Sequence, residues 1–308
     1  MHVMRNIPLS SRAADERHDV PLSFLAAYQT GVAILDQAGI PNASQEAMWL
    51  VEAGFGISRL TVFTDQDTPV SSEAWMDVLG KFCRRAAHEP LQYILGTQEF
   101  RGFSLNVAPG VFIPRPETEL LVDEVLVHQK NGTPGLLADI GTGSGCLAIA
   151  LASEIPHIQI FAVERNSTSM AMARRNAAQH LVQDRITFIE GDWVEPLYAL
   201  GLVEELSYIV SNPPYIPSGQ MASLPPTVRD FEPAMALDGG VEGLDFYARL
   251  LRDAPGLLQF GGRLVMEMGV GQADWVCHEA KQQGHFRICR IRHDNGGVAR
   301  VVCLERIR

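Results

Sequence analysis

The strongest constraint on the fold is a glycine-rich loop that directly follows a short apolar segment. Leu136–Ile140 is predicted to be a buried strand, and the five-residue loop Gly141–Gly145 separates it from an apolar helix. Glycines at such a turn let a ligand approach the backbone at the N-terminus of the next helix. The spacing is Gly-x-Gly-x-Gly, whereas a dinucleotide fingerprint would place its third glycine at position 146, which is Cys146. This difference alone does not decide between a dinucleotide and another adenosine-containing ligand.

Strands and helices alternate on both sides of this loop. The predicted strands are Leu136–Ile140, Gln159–Val163, Ile186–Glu190, Leu206–Ser211 and Arg263–Met268. The predicted helices occupy residues 117–129, 145–154, 167–180, 243–258 and 272–283. Such alternation predicts an α/β domain with a mostly parallel, doubly wound sheet. Near the C-terminus, Asp294-Asn295-Gly296-Gly297 separates two further strands, Phe286–His293 and Val298–Arg306, and predicts that the sheet ends in an antiparallel hairpin.

The N-terminal third of the chain has a different pattern. Residues 1–20 are predicted to be a polar, mobile extension, and residues 21–90 a small helical domain. Within that domain Ser44 is expected to cap the second helix, and the third is expected to begin near Ser72. The period changes between residues 91 and 115, which predicts a hairpin linking the helical domain to the α/β domain at 116–308.

Composition excludes several classes of protein. A hydrophobic share of 46% is ample for a core, and the formal net charge of −11 argues against coating nucleic acid by bulk charge. Residues 285–308 are the exception, because six arginines there face only two acids. The five cysteines are widely spaced, and no histidine pattern indicates a metal site. There is no apolar run of membrane-spanning or signal-peptide length. We therefore expect a cytoplasmic protein without a metal, a membrane partner or a stable nucleic-acid partner.

Acidic and aromatic residues follow the next two predicted strands. Glu164 ends the strand after the glycine loop, where a carboxylate can accept hydrogen bonds from both ribose hydroxyls of an adenosine. Asp192 and Trp193 follow the third strand, where Asp192 can accept from an adenine amino group and Trp193 can stack on the ring. A solvated strand end for Glu164 and a core position for Trp193 are the alternative interpretations.

The tetrapeptide Asn212-Pro213-Pro214-Tyr215 follows the fourth strand of the predicted sheet. In a parallel sheet this end faces the same crevice as the glycine loop. The Asn212 side-chain oxygen and the Pro213 carbonyl can accept the two N–H groups of a planar amide or exocyclic amine. The two prolines fix the backbone so that this carbonyl stays aimed, and Tyr215 can pack against the flat group. The tetrapeptide therefore predicts an acceptor site for planar nitrogen.

Together, the glycine loop and Asn-Pro-Pro-Tyr resemble the S-adenosylmethionine-dependent methyltransferases that act on planar nitrogen. Two groups share these motifs, the adenine-N6 DNA methyltransferases and the glutamine-N5 protein methyltransferases. Three further stretches resemble the HemK-type peptide chain release factor glutamine methyltransferases, over about residues 21–308. They are Phe112-Ile113-Pro114-Arg115-Pro116-Glu117-Thr118-Glu119, Val228-Arg229-Asp230-Phe231-Glu232-Pro233, and Ala236-Leu237-Asp238-Gly239-Gly240 with Gly243-Leu244.

The resemblance implies a class I methyltransferase fold and a role for each matching residue. S-adenosyl-L-methionine would be the methyl donor and S-adenosyl-L-homocysteine the product, with no metal. The residues implied to bind the donor are Gly141, Thr142, Gly143, Ser144, Gly145, Glu164, Asp192, Trp193 and Asn212. Those implied to hold the acceptor are Asn212, Pro213, Pro214, Tyr215, Phe112, Arg115 and Glu117. Asn212, Pro213 and Tyr215 would be catalytic. The family commonly has aspartate where this chain has Glu164.

The implied acceptor is the glutamine of the Gly-Gly-Gln motif in class I release factors. A sister group that methylates a ribosomal protein usually has serine after the proline–arginine pair, where this chain has Pro116. An adenine-N6 DNA methyltransferase is the other alternative, but it would need a basic groove and a target-recognition insert. A nicotinamide-dependent oxidoreductase would leave Asn-Pro-Pro-Tyr unexplained, and a binding module would not need a donor loop and an acceptor motif in one crevice.

Overall fold

The computed structural model describes residues 23–129 and 135–308. The extension predicted for residues 1–20 lies outside the described residues, as does the beginning of the helical domain predicted to start at residue 21. The chain divides into two compact units, the first ending at Leu95 and the second running from Gly96 to Arg308. Within the described residues, no helix is both long enough and apolar enough to cross a lipid bilayer.

The first unit is helical, as its sequence predicts for residues 21–90, and its last helix lies in the segment predicted to begin a hairpin linker. Its helices are α1 (Phe24–Gln37), α2 (Ala43–Phe55), α3 (Arg59–Thr64), α4 (Ser72–Ala86) and α5 (Leu91–Leu95). They pack around a core that includes Leu50, Trp75 and Phe82. The prediction that Ser44 caps α2 is wrong, because the helix begins two residues earlier than that cap would allow and Asn42 holds the N-cap position. This earlier start places Ala43 in the core, where it is buried.

The second unit is built on a seven-stranded sheet and a separate two-stranded hairpin. The hairpin consists of β1 (Thr97–Phe100) and β2 (Phe103–Asn106). The sheet strands are β3 (Gly135–Ile140), β4 (Ile158–Glu164), β5 (Ile186–Glu190), β6 (Leu206–Ser211), β7 (Leu258–Glu267), β8 (Phe286–His293) and β9 (Ala299–Arg306). Their order is β5-β4-β3-β6-β7-β9-β8. β9 is antiparallel to both β7 and β8, so the mostly parallel sheet with an antiparallel C-terminal hairpin is confirmed.

Helices cover both faces of this sheet. They are α6 (Glu119–His128), α7 (Cys146–Glu154), α8 (Ser167–Gln179), α9 (Glu195–Ala199), α11 (Asp245–Asp253) and α12 (Ala273–Gln283). One core contains residues of α6, α7 and α8, and a second contains residues of α9, α11 and α12. The short helix α10 (Pro226–Arg229) has no buried residue and contributes to neither core. Alternate residues of the central strands enter opposite cores, as in Ile209 and Val210 of β6. This is the doubly wound arrangement that the sequence predicts.

The β1–β2 hairpin packs with the second unit. Arg101 and Gly102 form its turn with positive φ angles of 49° and 78°, the backbone that a two-residue hairpin loop needs. Phe100 and Leu105 from its two strands are buried in the core that contains α6 and α7. The segment predicted as a linker therefore contributes apolar side chains to the core of the α/β unit.

One predicted boundary between a helix and a strand is wrong. The helix expected over residues 243–258 ends at Asp253, and β7 begins at Leu258 rather than at Arg263. Pro255 lacks a backbone N–H and cannot continue an α-helix, so the chain passes through a short 3₁₀ turn, Ala254–Gly256, before the strand. Leu258 then pairs with Leu206 at the start of β6.

Two helical glycines of the first unit give opposite predictions for stability. A Cβ at Gly31 in α1 would lie 2.0 Å from Cζ of Phe82, whereas a Cβ at Gly80 in α4 would meet no heavy atom within 4 Å. Gly80→Ala should therefore stabilise the protein by up to about 1 kcal/mol through helix propensity. Gly31→Ala should destabilise it by about 1–3 kcal/mol, because overlap with a buried ring outweighs that gain. Urea denaturation measures both, and a stabilising Gly31→Ala would contradict the packing of α1 on α4.

Candidate active site

The glycine loop and the Asn-Pro-Pro-Tyr segment leave the sheet side by side. β3 and β6 are parallel neighbours in which Ile140 lies opposite Ser211, and the Ser211 hydroxyl donates a 2.8 Å hydrogen bond to the Ile140 carbonyl. The next residues of the two strands, Gly141 and Asn212, therefore begin at the same edge. Both border a cavity of about 980 Å³, including its open mouth.

The three glycines of the loop have positive φ angles but different surroundings. The angles at Gly141, Gly143 and Gly145 are 75°, 57° and 85°. A Cβ at Gly141 or Gly143 would meet no heavy atom nearer than 4.0 Å, and both residues border the cavity. Gly145 does not border it, and a Cβ there would lie 3.2 Å from Ala173 of α8. Gly141 and Gly143 thus leave space for a ligand beside the backbone, and Gly145 allows α7 and α8 to pack closely.

Glu164 holds the loop in place as well as bordering the cavity. One of its carboxylate oxygens accepts a 3.0 Å hydrogen bond from the Gly143 amide, and the other a 2.8 Å bond from the Asn166 amide. Each carboxylate oxygen can accept a second hydrogen bond. Glu164 can therefore still accept hydroxyl groups from a ligand while it fixes the loop.

Asp192 and Trp193 border the same cavity at its far side. Asp192 lies 3.6 Å from both Arg165 and Arg249. Trp193 is only 7% exposed, packs with its ring centroid 4.9 Å from that of Phe246, and has the Arg249 guanidinium 5.1 Å from its centroid. Its φ of 62° is strained for a bulky side chain. Trp193 therefore belongs to the core and to the cavity wall at once, and both interpretations of this residue fit its position.

Two buried polar atoms beside the loop have no hydrogen-bond partner. They are Oδ1 of Asp139, at the end of β3, and Oγ of Ser144, which borders the cavity. The other Asp139 oxygen accepts a 2.6 Å bond from the Thr142 hydroxyl. Burial raises the pKa of Asp139 to about 7, although the hydrogen bond from Thr142 acts in the opposite direction. A polar ligand in the cavity would complete the pairing of Ser144.

The Asn-Pro-Pro-Tyr segment separates this cavity from a second, smaller one. The second cavity has a volume of about 570 Å³ with its mouth, and Tyr215 borders it. Phe112, Asn212 and Pro213 border both cavities, whereas Pro214 borders only the first. The residues predicted for a donor and those predicted for an acceptor therefore line adjoining spaces, with Asn212 and Pro213 between them.

The segment around Phe112 and Arg115 is held by an acid that the sequence analysis did not assign. Glu232 is buried, forms an ion pair with Arg115, and accepts a 3.3 Å hydrogen bond from the Ile113 amide. The Arg115 guanidinium lies 4.8 Å from the centre of the Phe112 ring. Arg115 borders the second cavity, whereas Glu117 borders neither.

Behind Asn-Pro-Pro-Tyr lies a buried carboxyl group that sequence reasoning also missed. Glu267 at the end of β7 accepts hydrogen bonds from the Thr118 hydroxyl (2.7 Å) and the Tyr215 hydroxyl (3.2 Å). Thr118 in turn accepts a 3.0 Å bond from the Asn212 side-chain amide. Burial raises the pKa of Glu267 to about 7, and burial together with the nearby Glu267 also raises that of Tyr215. The apolar pattern of β7 gives no signal for the position of Glu267. Thr118, by contrast, lies within the Phe112–Glu119 stretch that resembles the family.

One group of potential metal ligands occurs among the described residues, away from the cavities. It consists of Glu124, His128 and Cys303. Both Glu124 oxygens are already engaged, one with His128 at 2.9 Å and the other with Arg292, and Arg290 lies 3.7 Å away. Burial raises the pKa of the Cys303 thiol, which keeps it protonated. Two arginines and a neutral thiol make this a poor site for a cation.

Known proteins resemble this chain over most of its length. The release factor glutamine methyltransferase of Geobacter sulfurreducens is 43% identical over 268 residues, which are 87% of this chain and 91% of that protein. A human relative, MTRF1L release factor glutamine methyltransferase, is 33% identical over 92% of this chain and 86% of its own length. The chain belongs to the release factor glutamine methyltransferase family. The predicted resemblance is thereby confirmed.

The domain models and solved structures agree with this family. Residues 26–96 match the model for the PrmC N-terminal domain, and residues 104–224 match that for the methyltransferase small domain. A methyltransferase from Pyrococcus furiosus has a TM-score of 0.50 at 16% identity, covering 77% of this chain and all of that one. The hMettl16 catalytic domain has a TM-score of 0.53, also at 16% identity, over 76% of this chain and 81% of its own. At this identity the two structures support the methyltransferase fold alone.

The buried carboxyl at Asp139 predicts a particular dependence of stability on pH. Because its pKa is about 7 in the folded protein and near 3.8 ordinarily, the native state keeps a proton that the unfolded chain releases. Stability should therefore fall as the pH rises from about 4 to about 7. At 1.36 kcal/mol per unit the loss could reach roughly 4 kcal/mol. Asp139→Asn cannot ionise, so urea denaturation at about pH 5 and pH 8 should show a smaller decrease for this variant.

Asp294→Asn provides the control for that measurement. A hydrogen bond from Arg300 keeps the pKa of the Asp294 carboxyl below its usual value, so this group is ionised throughout the range tested. The control should retain the wild-type pH dependence. If Asp139→Asn also retained it, the buried carboxyl would not be the group that titrates.

Proposed function

We propose that the protein transfers a methyl group from S-adenosyl-L-methionine to the side-chain amide nitrogen of the glutamine in the Gly-Gly-Gln motif of class I release factors. The observation that carries this proposal is the position of Asn212-Pro213-Pro214-Tyr215 beside the glycine loop, at neighbouring carboxyl ends of parallel strands. The relatives named above are release factor glutamine methyltransferases, which supports the same acceptor.

The cavity beside the glycine loop suits the methyl donor. Gly141 and Gly143 leave space for close approach to the backbone, and Ser144 offers an unpaired hydroxyl. Glu164 keeps acceptor capacity toward ribose hydroxyls, and Asp192 with Trp193 borders the far side, where an adenine would lie. When bound, the donor supplies a methyl group on a sulfonium sulfur, and the neutral thioether of S-adenosyl-L-homocysteine is the leaving group.

The acceptor amide has to be held so that its nitrogen faces that methyl group. Its lone pair is delocalised, so an amide nitrogen is a poor nucleophile. The Asn212 oxygen and the Pro213 carbonyl can each accept one of the two N–H groups and favour the charge that develops on nitrogen. Correct positioning of two reactants can contribute roughly 7–11 kcal/mol to a reaction of this kind. Phe112 and Arg115 would enclose the glutamine side chain from the second cavity.

The charge distribution supports a protein acceptor over DNA. Most arginines of residues 285–308 form ion pairs within the second unit. Arg287 pairs with Glu305 and Arg300 with Asp294. Arg290 and Arg292 both approach Glu124, and Arg306 pairs with Glu204. Charges paired in this way offer less to a phosphate backbone, and the chain as a whole carries a charge of −11.

The direct test is mass spectrometry of a class I release factor incubated with the protein and S-adenosyl-L-methionine. We expect the release factor to gain one methyl group, located on the glutamine of Gly-Gly-Gln. Duplex DNA incubated in parallel should remain free of N6-methyladenine. Methylation of adenine at a rate equal to or above that of the release factor would overturn the proposal.

Two variants should separate the binding of the donor from the transfer of the methyl group. Gly143→Val places a β-branched residue at a φ of 57° and directs its side chain into the cavity, so affinity for S-adenosyl-L-homocysteine should fall more than a hundredfold. Asn212→Ala leaves that loop intact and should change this affinity by less than about tenfold. Its rate of transfer should nevertheless fall by about 10²–10³, as when one preorganised hydrogen bond is removed.

Calorimetry and single-turnover transfer measure these two quantities separately, and each variant is the control for the other. Wild-type affinity in Gly143→Val would exclude the loop as the donor site. Near-normal transfer by Asn212→Ala would reduce Asn212 to a turn residue.

A further inference from the structure

A chain of three hydrogen-bonding side chains lies behind the Asn212 amide. Asn212 Nδ2 is 3.0 Å from Thr118 Oγ1, and Thr118 Oγ1 is 2.7 Å from Glu267 Oε2. Thr118 and Glu267 are each only 1% exposed, so solvent does not compete for these bonds. The three residues come from the end of β6, from the 3₁₀ turn before α6 and from the end of β7.

The carboxylate fixes the direction of every bond in this chain. Above its pKa of about 7 Glu267 is ionised and can only accept, so the single Thr118 hydrogen then points at Glu267. The Thr118 oxygen then has only lone pairs left for Asn212, and it is the NH₂ end of the Asn212 amide that must face it. An amide turned the other way would place two acceptor oxygens against each other. The Asn212 oxygen is consequently left on the opposite side from Thr118.

The same carboxylate also holds the other end of the tetrapeptide. The Tyr215 hydroxyl donates to Glu267 Oε1 at 3.2 Å. In addition, the Tyr215 carbonyl accepts a 2.9 Å bond from Gln272, whose side chain also bonds the Gly243 carbonyl and the Gly269 amide. Both ends of the segment are thus anchored from behind. Glu267 and Gln272, which hold Tyr215, do not border the cavity on the donor side, whereas Thr118, which holds Asn212, does.

The buried carboxyl of Glu267 lowers the stability of the fold. A buried carboxyl is unfavourable unless its hydrogen bonds are complete, and an apolar side chain at the end of β7 would avoid the penalty. The other charged groups that act on Glu267 are Glu117 and Arg300, and Arg300 is itself paired with Asp294. No charged group neutralises Glu267 directly in the described contacts. Stability alone therefore does not explain this carboxyl.

We propose that Glu267 and Thr118 are positioning residues that set which end of the Asn212 amide faces the acceptor nitrogen. The inference rests on the proposed function, in which the Asn212 oxygen accepts an N–H group of the glutamine amide. Both residues act through Asn212, and Thr118 also borders the donor-side cavity. Without them the Asn212 amide could turn and present its own NH₂ group to the glutamine amide. Its N–H donors would then face the N–H donors of the substrate.

Thr118→Val and Glu267→Gln test this proposal from two directions. Valine keeps the volume of threonine but removes the acceptor for Asn212. Glutamine keeps the volume of glutamate, yet its amide can donate to the Thr118 oxygen and release the hydroxyl to point at Asn212. We expect kcat for the release factor to fall at least tenfold in both variants, while KM and the affinity for S-adenosyl-L-homocysteine change by less than about threefold. Thr118→Ser retains the hydroxyl and should restore most of kcat.

Glu124→Gln is the matched control, because Glu124 is an equally buried glutamate of the same unit, bound to His128 and Arg292 away from the cavities. It should lower the melting temperature without changing kcat. Glu124→Gln therefore shows how kcat responds to a general loss of stability. Thr118→Ser shows whether a change of side chain at position 118 by itself impairs folding.

A double-mutant cycle decides whether the effect acts through Asn212. In the Asn212→Ala background, Thr118→Val should lower single-turnover transfer by less than about twofold, because no amide remains to be oriented. An equal loss in both backgrounds, or full kcat in Thr118→Val and Glu267→Gln, would overturn this inference while leaving the proposed function intact. If the wild-type protein did not methylate the release factor, the proposed function itself would fail. A fully active Asn212→Ala would instead remove the role of Asn212 on which this inference rests.

Discussion

The parallel pairing of β3 with β6 is the contact on which the site depends. It places Ile140 opposite Ser211, so that two loops 71 residues apart in sequence begin at one edge of the sheet. β3 lies between β4 and β6, and the chain order reverses on passing from one side of it to the other. At such a point the loops after adjacent strands diverge and leave a crevice. A one-residue shift in this register would exchange the faces of β6 and move Asn212 out of the crevice.

Around this crevice, polar groups are buried in places where packing alone would favour apolar ones. Asp139 lies under the glycine loop, Glu232 holds the Phe112–Arg115 segment, and Glu267 lies behind Asn-Pro-Pro-Tyr. Burial raises the pKa values of Asp139 and Glu267 to about 7, because ionisation is unfavourable in this environment. All three acids hold loops that border the cavities. Burial of these three acids therefore lowers the stability of the fold, but it holds the loops of the site in place.

Much of the fold was predictable because local signals and the sheet rules agree. Short apolar segments alternating with helical patterns located the strands of the parallel sheet, and the Asp-Asn-Gly-Gly turn indicated the antiparallel hairpin formed by β8 and β9. The errors occurred where tertiary packing or backbone chemistry decided a boundary. α2 starts at Ala43 because that residue enters the core, and α11 stops before Pro255. The short helices α3, α5 and α9 carry too few residues for a periodic signal.

The sequence by itself determined the order of the elements, the two motifs at the ends of β3 and β6, and hence the family and the crevice. Only the tertiary structure decided what each site residue touches. It placed Gly145 against α8 instead of the cavity, and it joined Asn212 to Thr118 and Thr118 to Glu267 across 94 and 149 residues of sequence. Helix and strand preferences depend on neighbours a few residues away, so they can be read along the chain. The partner of a buried polar side chain depends on strand order and register, which bring together groups that no local pattern connects.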